Sequence, residues 1–206
     1  MKKPNVRKEN LKFFVETARQ RILEVLFKFP DKEFSLSDLA KEAGVSKAHI
    51  GSVLDGLLRA GFVQIEELSK IWRIRANIRS WQFIKAKILY NLSVIYQSGL
   101  VEILNEFYGR PRAIVLFGSF RKGEDITSSD IDIAVETDKD ILPASLSLRQ
   151  VVAGENERMA GQIRELEKFI SRNVQVFVFN RKSVDVNVFN NIANGIVLLG
   201  FLEVKP

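Results

Sequence analysis

Apolar residues recur at helical spacing from Val15 to Phe29, through Ile22, Leu23, Val25 and Leu26, until Pro30-Asp31 ends the run. That pattern predicts a first helix. Ser37 is the expected cap of a shorter second helix, with Leu39, Ala40 and Ala43 facing inward and Gly44 closing it. Ser46 opens a third, reaching to about Ala60, in which Ile50, Val53, Leu54 and Leu57 make one buried stripe. After Gly61 the period shortens. Phe62 to Glu66 and Ile71 to Ile74, joined by Glu67-Leu68-Ser69-Lys70, predict a hairpin. Helical spacing then returns with Trp81, Ile84, Ile88, Leu92 and Ile95, predicting a helix over 81–97. A further helix is expected from Leu100 to Tyr108, stopped by Gly109-Arg110-Pro111.

The second half begins with a β-forming run, Ala113 to Phe117, that leads directly into Gly118-Ser119. A polar loop with Arg121, Lys122, Gly123 and Glu124 follows, and the chain returns as Ser129-Asp130-Ile131-Asp132-Ile133-Ala134-Val135. Residues two apart on a strand share a face, so Asp130 and Asp132 are expected side by side, with Ile131 and Ile133 turned into the core. Helices are expected from Leu146 to Glu157 and from Met159 to Ile170. A strand then runs from Val174 to Phe179 with Gln175 as its polar residue. In the tail, Val184 to Leu202, Phe189, Ile192, Ile196 and Leu199 are packing residues, and Asp185 is expected to cap a helix. The whole is an α+β chain of two domains, 1–80 and 100–206, joined by a linker helix over 81–99.

Composition narrows the chemistry. The 206 residues include no cysteine and one histidine, His49. Disulfides, thiol nucleophiles and thiolate metal sites are therefore excluded, and any metal must be held by oxygen. No apolar run approaches the ~18 residues that span a bilayer, and Met1 to Asn10 is basic and polar, so no membrane association and a cytoplasmic location are expected. The net charge of +6 is uneven: residues 1–80 hold 16 Lys and Arg against 10 Asp and Glu, whereas 81–206 hold 15 of each. The N-terminal part is thus suited to a polyanion, the alternative being a well-solvated surface.

Helix, helix, Gly turn, helix and hairpin, with Ser37-Leu39-Ala40-Ala43-Gly44-Val45-Ser46, Ile50 and Leu54, resembles the winged helix-turn-helix family over roughly residues 15 to 77. That resemblance implies DNA as a partner, with the third helix in the major groove. Lys47, Ala48, His49 and Ser52 would meet bases or phosphates, and Lys70, Arg73 and Arg75 on the wing would meet the backbone. The alternative is a protein-docking module, with Asp55 on the same helix in its favour. Trp72, Trp81 and Phe83 are expected to be packing residues.

Crowded carboxylates need a cation or a proton, and Mg²⁺ suits a site with one or two of them, filling its shell with water and phosphate oxygens. Gly118 lets the backbone approach a triphosphate, Ser119 can donate to it, and Arg121 and Lys122 add positive charge. Phe117-Gly118-Ser119-Phe120-Arg121-Lys122-Gly123 through Ser128-Ser129-Asp130-Ile131-Asp132 resembles the signature of polymerase-beta-type nucleotidyltransferases, the minimal nucleotidyltransferases most of all, over about Leu100 to Leu202. The resemblance implies a mixed β-sheet flanked by helices, with Gly118, Ser119, Arg121, Lys122 and Ser129 binding nucleotide. It makes Asp130 and Asp132 the catalytic ligands of Mg²⁺ or Mn²⁺. It also implies transfer of a nucleoside monophosphate from a nucleoside triphosphate to an acceptor hydroxyl.

The family's third carboxylate, which activates the acceptor from a later strand, is replaced here by Gln175, an amide that cannot act as a general base. Two functions therefore stand side by side. One is a transferase tethered by its N-terminal domain. The other is a DNA-binding regulator or antitoxin-like protein whose second domain only binds nucleotide, with a helical toxin-like protein as partner. A homodimer is left open.

Overall fold

The computed structural model describes residues 17–68, 71–153 and 157–204, with the side chains of 157–159 left aside. Val15 and Lys70 lie outside the described residues. Contacts divide the chain into an N-terminal unit that runs to Tyr90 and includes Gly123–Thr127, and a C-terminal unit of Asn91–Lys122 with Ser128–Pro206.

In the N-terminal unit, helix α1 (Ala18–Lys28) is capped by Thr17, whose hydroxyl accepts from the Gln20 amide at 3.1 Å. Strand β1 (Glu33–Phe34) follows, a two-residue piece absent from the sequence expectation. Helix α2 (Leu36–Glu42) is capped by Ser35 and not by Ser37, which lies inside the helix. Ser35 has extended backbone and its Oγ accepts from the Asp38 amide at 3.1 Å, so it satisfies an orphan donor at the helix start, whereas Ser37 is already the second residue of the helix. Helix α3 (Lys47–Arg59) and the hairpin of β2 (Val63–Leu68) and β3 (Ile71–Ala76) complete the order, with β1, β3 and β2 side by side and antiparallel. Ile22, Leu26, Leu39, Ile50, Leu54, Leu57, Ile74 and Phe83 are fully buried in one cluster. Val53 packs against it only in part.

Helix α4 runs from Trp81 to Gln97, the range its periodicity predicts, but it buries a different face. Phe83, Lys87, Asn91 and Ile95, a row four residues apart, are buried, while Ile84, Ile88 and Leu92 are half-buried and Trp81 is exposed. An apolar-only pattern cannot find this row because two of its members are polar. Burying them is tolerable because both are bonded. Lys87 pairs with Asp125, and the Asn91 amide donates to the Phe120 carbonyl at 2.7 Å.

The C-terminal unit continues with α5 (Leu100–Phe107), β4 (Ala113–Phe117), the short α6 (Gly118–Lys122) and β5 (Ile131–Glu136). Next come β6 (Ala144–Ser147), α7 (Leu148–Val151), α8 (Glu157–Ile170), β7 (Val174–Phe179), α9 (Val186–Ala193) and β8 (Ile196–Gly200). The sheet order is β6-β7-β5-β4-β8, parallel between β5 and β7 and antiparallel elsewhere, so it is mixed. Strand β5 lies in the middle, where every residue but Asp132 is buried.

The helix expected from Leu146 is corrected in two ways. Ala144–Ser147 is an edge strand, paired with β7 through Leu146 and Val176, and the helix that follows is only α7. Local sequence marks where that helix starts, because Ser147 and Gln150 form a reciprocal capping box. It carries no sign of the pairing, which depends on a partner about 30 residues away. Asp185 caps α9 as expected, accepting from the amides of Asn187 and Val188.

Candidate functional site

Antiparallel pairing of β4 with β5 sets Phe117 opposite Asp132, so the chain leaves β4 at Gly118 directly beside that carboxylate. Gly118 has φ +72, a conformation an L side chain rarely adopts. A Cβ at this position would overlap Asp132 Oδ2 and stand 3.0 Å from its Cγ. Two independent constraints therefore demand glycine, the left-handed backbone and the closeness of the turn to Asp132.

Asp130 precedes β5 instead of lying within it, since the strand begins at Ile131. Its position is fixed by the neighbouring strand. The Ile131 amide donates to the Asn173 carbonyl at 2.9 Å, and the Asn173 side-chain amide donates to Asp130 Oδ1 at 3.2 Å. Asn173 is a residue the sequence offers no reason to single out. Only the parallel pairing of β5 with β7 brings it to Asp130.

Both carboxylates are partly buried. Burial, and then the negative charge of Asp130, push Asp132 above the usual carboxylate range. The two acids thus act on each other electrostatically. An arrangement that opposes ionisation of Asp132 is one that a divalent cation relieves, and hard oxygen donors are the ligands such a cation takes. Asp130 and Asp132 are thus two residues that could hold such a cation, and among the described residues no group of three or more Asp, Glu, His or Cys is gathered to hold one. Gln175 lies in register with Asp132 on the parallel neighbour β7, so the strand position next to the pair holds a neutral amide. Ser119 and Arg121 are half-buried on α6 and Lys122 is exposed at its end, while Ser129 is half-buried in the approach to β5.

The candidate nucleic-acid residues belong to the other unit. Lys47, His49 and Ser52 are exposed on α3, where Ser46 Oγ and His49 Nδ1 are 2.8 Å apart and the Ser52 hydroxyl donates to the His49 carbonyl. Arg73 and Arg75 lie on β3 with acids beside them. Arg73 Nε is 3.1 Å from Glu33, Arg75 is 2.6 Å from the same carboxylate, and Arg73 also reaches Glu66 at 3.8 Å. Sequence reasoning missed Glu33 as a partner because nothing local marks a two-residue strand, and it is the register of β1 on β3 that sets Glu33 opposite Arg75.

Residues 99–200, a little under half of the chain, match the family model described as polymerase beta, nucleotidyltransferase. That match supports the nucleotidyltransferase superfamily for the domain carrying Gly118, Asp130 and Asp132. A solved structure described as the transcriptional regulator PA4135 is similar over 45% of this chain and 76% of its own, at 19% identity and a TM-score of 0.30, a likeness too slight to weigh. No curated protein matches the sequence. Among the described residues, no helix is long and apolar enough to cross a membrane.

Proposed function

We propose that the C-terminal unit binds a nucleoside triphosphate with Mg²⁺ or Mn²⁺ and transfers its nucleoside monophosphate to an acceptor hydroxyl. The observation that carries this is the abutment of Gly118 on Asp132, with Asp130 close enough to oppose its ionisation. Asp130 and Asp132 hold the metal, which supplies charge neutralisation on the triphosphate. The Gly118 backbone and Ser119 donate to phosphate oxygens, and Arg121 and Lys122 add positive charge there. In the reaction a bond forms between the acceptor oxygen and the α-phosphorus, the bond to the bridging oxygen breaks, and pyrophosphate leaves. Catalysis is chiefly positioning and charge stabilisation, with the hydroxyl proton passing to solvent because Gln175 has no basic lone pair to take it.

The N-terminal unit, on this reading, is a winged helix-turn-helix that binds DNA. Its element order supports it: α1, β1, α2, α3 and a β2–β3 hairpin, with Lys47, His49 and Ser52 exposed on α3. Gln175 in register with Asp132 favours a second function, a DNA-binding regulator or antitoxin-like protein whose nucleotide site turns over slowly. A helical toxin-like partner belongs to that function.

Thermal unfolding with ATP, GTP, CTP or UTP and Mg²⁺ tests the site. One nucleotide at about 100 times its Kd stabilises by ~2.7 kcal/mol. That gain is expected to vanish in both Asp130→Ala and Asp132→Ala, and a gain that survives either substitution rejects the site. A labelled-nucleotide transfer assay against cell extract separates the transferase from the slow binder.

A further inference from the structure

The two edges of the C-terminal sheet are guarded differently. Among the described residues β6 and β8 are its outermost strands. An edge strand turns half of its backbone amides and carbonyls away from its one neighbour, and it accepts a further strand unless it is very short or carries charge or proline. Strand β6 is short, four residues entered from Pro143 and bearing Ser145 and Ser147. Strand β8 lacks such guards. From Gly195 to Leu202 there is no Lys, Arg, Asp, Glu or Pro. The pairing with β4 runs one residue past the strand end, where the Phe201 amide donates to the Arg112 carbonyl at 2.9 Å. Leu198 is extra in that register, but its side chain is buried and its carbonyl accepts from the Tyr96 hydroxyl at 3.4 Å, so the irregularity is taken up within the unit. Val197, Leu199 and Phe201 are 43%, 37% and 73% exposed.

The lack of charge reaches further back. The 17 residues from Val186 to Leu202 hold no charged side chain, the longest such run in a chain that is 27% charged. Burial does not explain it. On α9, Asn187, Asn190, Asn191 and Asn194 recur at helical spacing and are exposed, as is Val186. The positions that face water on this helix are thus carboxamides, where a solvated face ordinarily carries Lys or Glu. Depletion of charge on an exposed surface is the compositional mark of an interface.

The same depletion says which partner fits. About a two-fold axis a side chain near the axis meets its own copy, so any charge there faces a like charge. A neutral face avoids that penalty, and carboxamides, which both donate and accept, pair with their own copies. An antiparallel strand is likewise its own complement. The axis that pairs β8 with a second β8 stands perpendicular to the sheet, so both copies of α9, which packs on β4 through Val188, Phe189 and Ile192, come to the same side of it. We infer that β8 is the centre of a homodimer interface, in which two copies of this chain pair β8 antiparallel about an axis near Leu198 and the sheet continues from one copy into the other. In that register Val197 of each copy stands opposite Leu199 of the other. The inference is independent of the nucleotide site.

The experiment takes the full chain in sedimentation equilibrium over a wide range of concentrations. The wild type is expected at twice 23.5 kDa, with an unfolding midpoint that rises with concentration. Val197→Lys and Leu199→Glu each bring a charge into the pairing twice, and each is expected to weaken association by about a hundredfold or more. Mixing the two variants sets the new lysine opposite the new glutamate and is expected to restore the dimer. Ser145→Lys, on the other edge, is expected to leave the mass unchanged. Hydrogen exchange of the wild-type peptide covering 195–202 is expected to slow as concentration rises, with no such change in β6. That measurement needs no variant, so it decides the matter even where a substitution prevents folding. A wild type that stays monomeric overturns the inference. So does a dimer that survives both Val197→Lys and Leu199→Glu, or one whose β8 amides exchange as fast as those of the monomer.

Discussion

The two candidate sites are built in opposite ways. On the N-terminal unit Lys47, His49 and Ser52 are exposed, and Arg73 and Arg75 are solvated ion-pair partners of Glu33 and Glu66. In the C-terminal unit Asp130 and Asp132 are partly buried, the charge of Asp130 adds to the burial that raises Asp132, and Asp132 leaves no room for a side chain at Gly118. Exposed charges in water interact weakly and tolerate substitution, whereas partly desolvated carboxylates at close range are costly unless a ligand balances them. A raised carboxylate beside a turn that admits only glycine is the better marker of a site, and both lie at Asp132.

The comparison breaks most directly at Gly118. Gly118→Ala forces a Cβ onto Asp132 Oδ2 in a left-handed backbone, which costs roughly 1–2 kcal/mol from the backbone alone. We expect nucleotide-induced stabilisation to be lost entirely and the unfolding midpoint to fall by several degrees, as calorimetry would record. An alanine variant that is stable and binds nucleotide normally removes the case for close packing there.

Gln175→Asp comes next. A third carboxylate in register with Asp132 supplies the missing base, and transfer of labelled nucleotide is expected to rise by roughly 10²-fold or more. Without metal the same variant is less stable than the wild type, because a like charge joins the pair. Equal transfer rates in the two proteins reject the register as functionally relevant.

Smaller effects follow from pH. Asp132 is raised by burial and then by Asp130. Glu136, buried with neither carboxylate oxygen hydrogen-bonded, is raised by burial, with Asp138 and Glu203 adding to it and Arg112 and Arg181 opposing. A raised folded value means that the native chain keeps these protons to a higher pH than the unfolded chain does. Their contribution to stability is therefore complete below about pH 4, where both states are protonated, and is lost as pH rises through the raised values. The midpoint of the metal-free protein should fall across that range, and less so in Glu136→Gln. Asp130→Asn should bring Asp132 back toward the usual carboxylate range in a carbon-detected NMR titration. An Asp132 titration unmoved by Asp130→Asn means the two acids are not coupled.

The smallest effect belongs to the exposed site. Glu33→Ala removes surface ion pairs and should change stability by less than about 1 kcal/mol. If β3 lies along a phosphate backbone, freeing Arg73 and Arg75 strengthens DNA binding and steepens its salt dependence, by roughly one unit of log–log slope for each phosphate that a freed arginine neutralises. Retention gels across a salt series measure this. Unchanged affinity and slope would take those two arginines out of the interface.

How far the sequence carried depends on whether a signal is local. The ends of α4, the strand β4 and the cap at Asp185 were legible because periodicity and capping are set by residues a few positions apart. The sequence points to Ser37 where the cap is Ser35, because both have the right side chain and only backbone conformation separates them. From Leu146 the sequence reads as helix where the structure has the end of edge strand β6, since the strand's propensity is weak and its partner distant. The row Phe83, Lys87, Asn91, Ile95 stayed hidden because hydrophobicity alone does not register a buried lysine that has its carboxylate elsewhere in the chain.

By itself, then, the sequence determined which residues bear the chemistry: a glycine-serine turn, two acids in an Asp-x-Asp pattern, and a glutamine in the later strand. Tertiary structure alone decided that Gly118 abuts Asp132, that Asn173 holds Asp130, and that Gln175 is the residue in register with Asp132. Residue type is written in the chain, but the distances between residues far apart in it are fixed only when strands pair and side chains are buried, and close charges gain their energetic consequence from those distances.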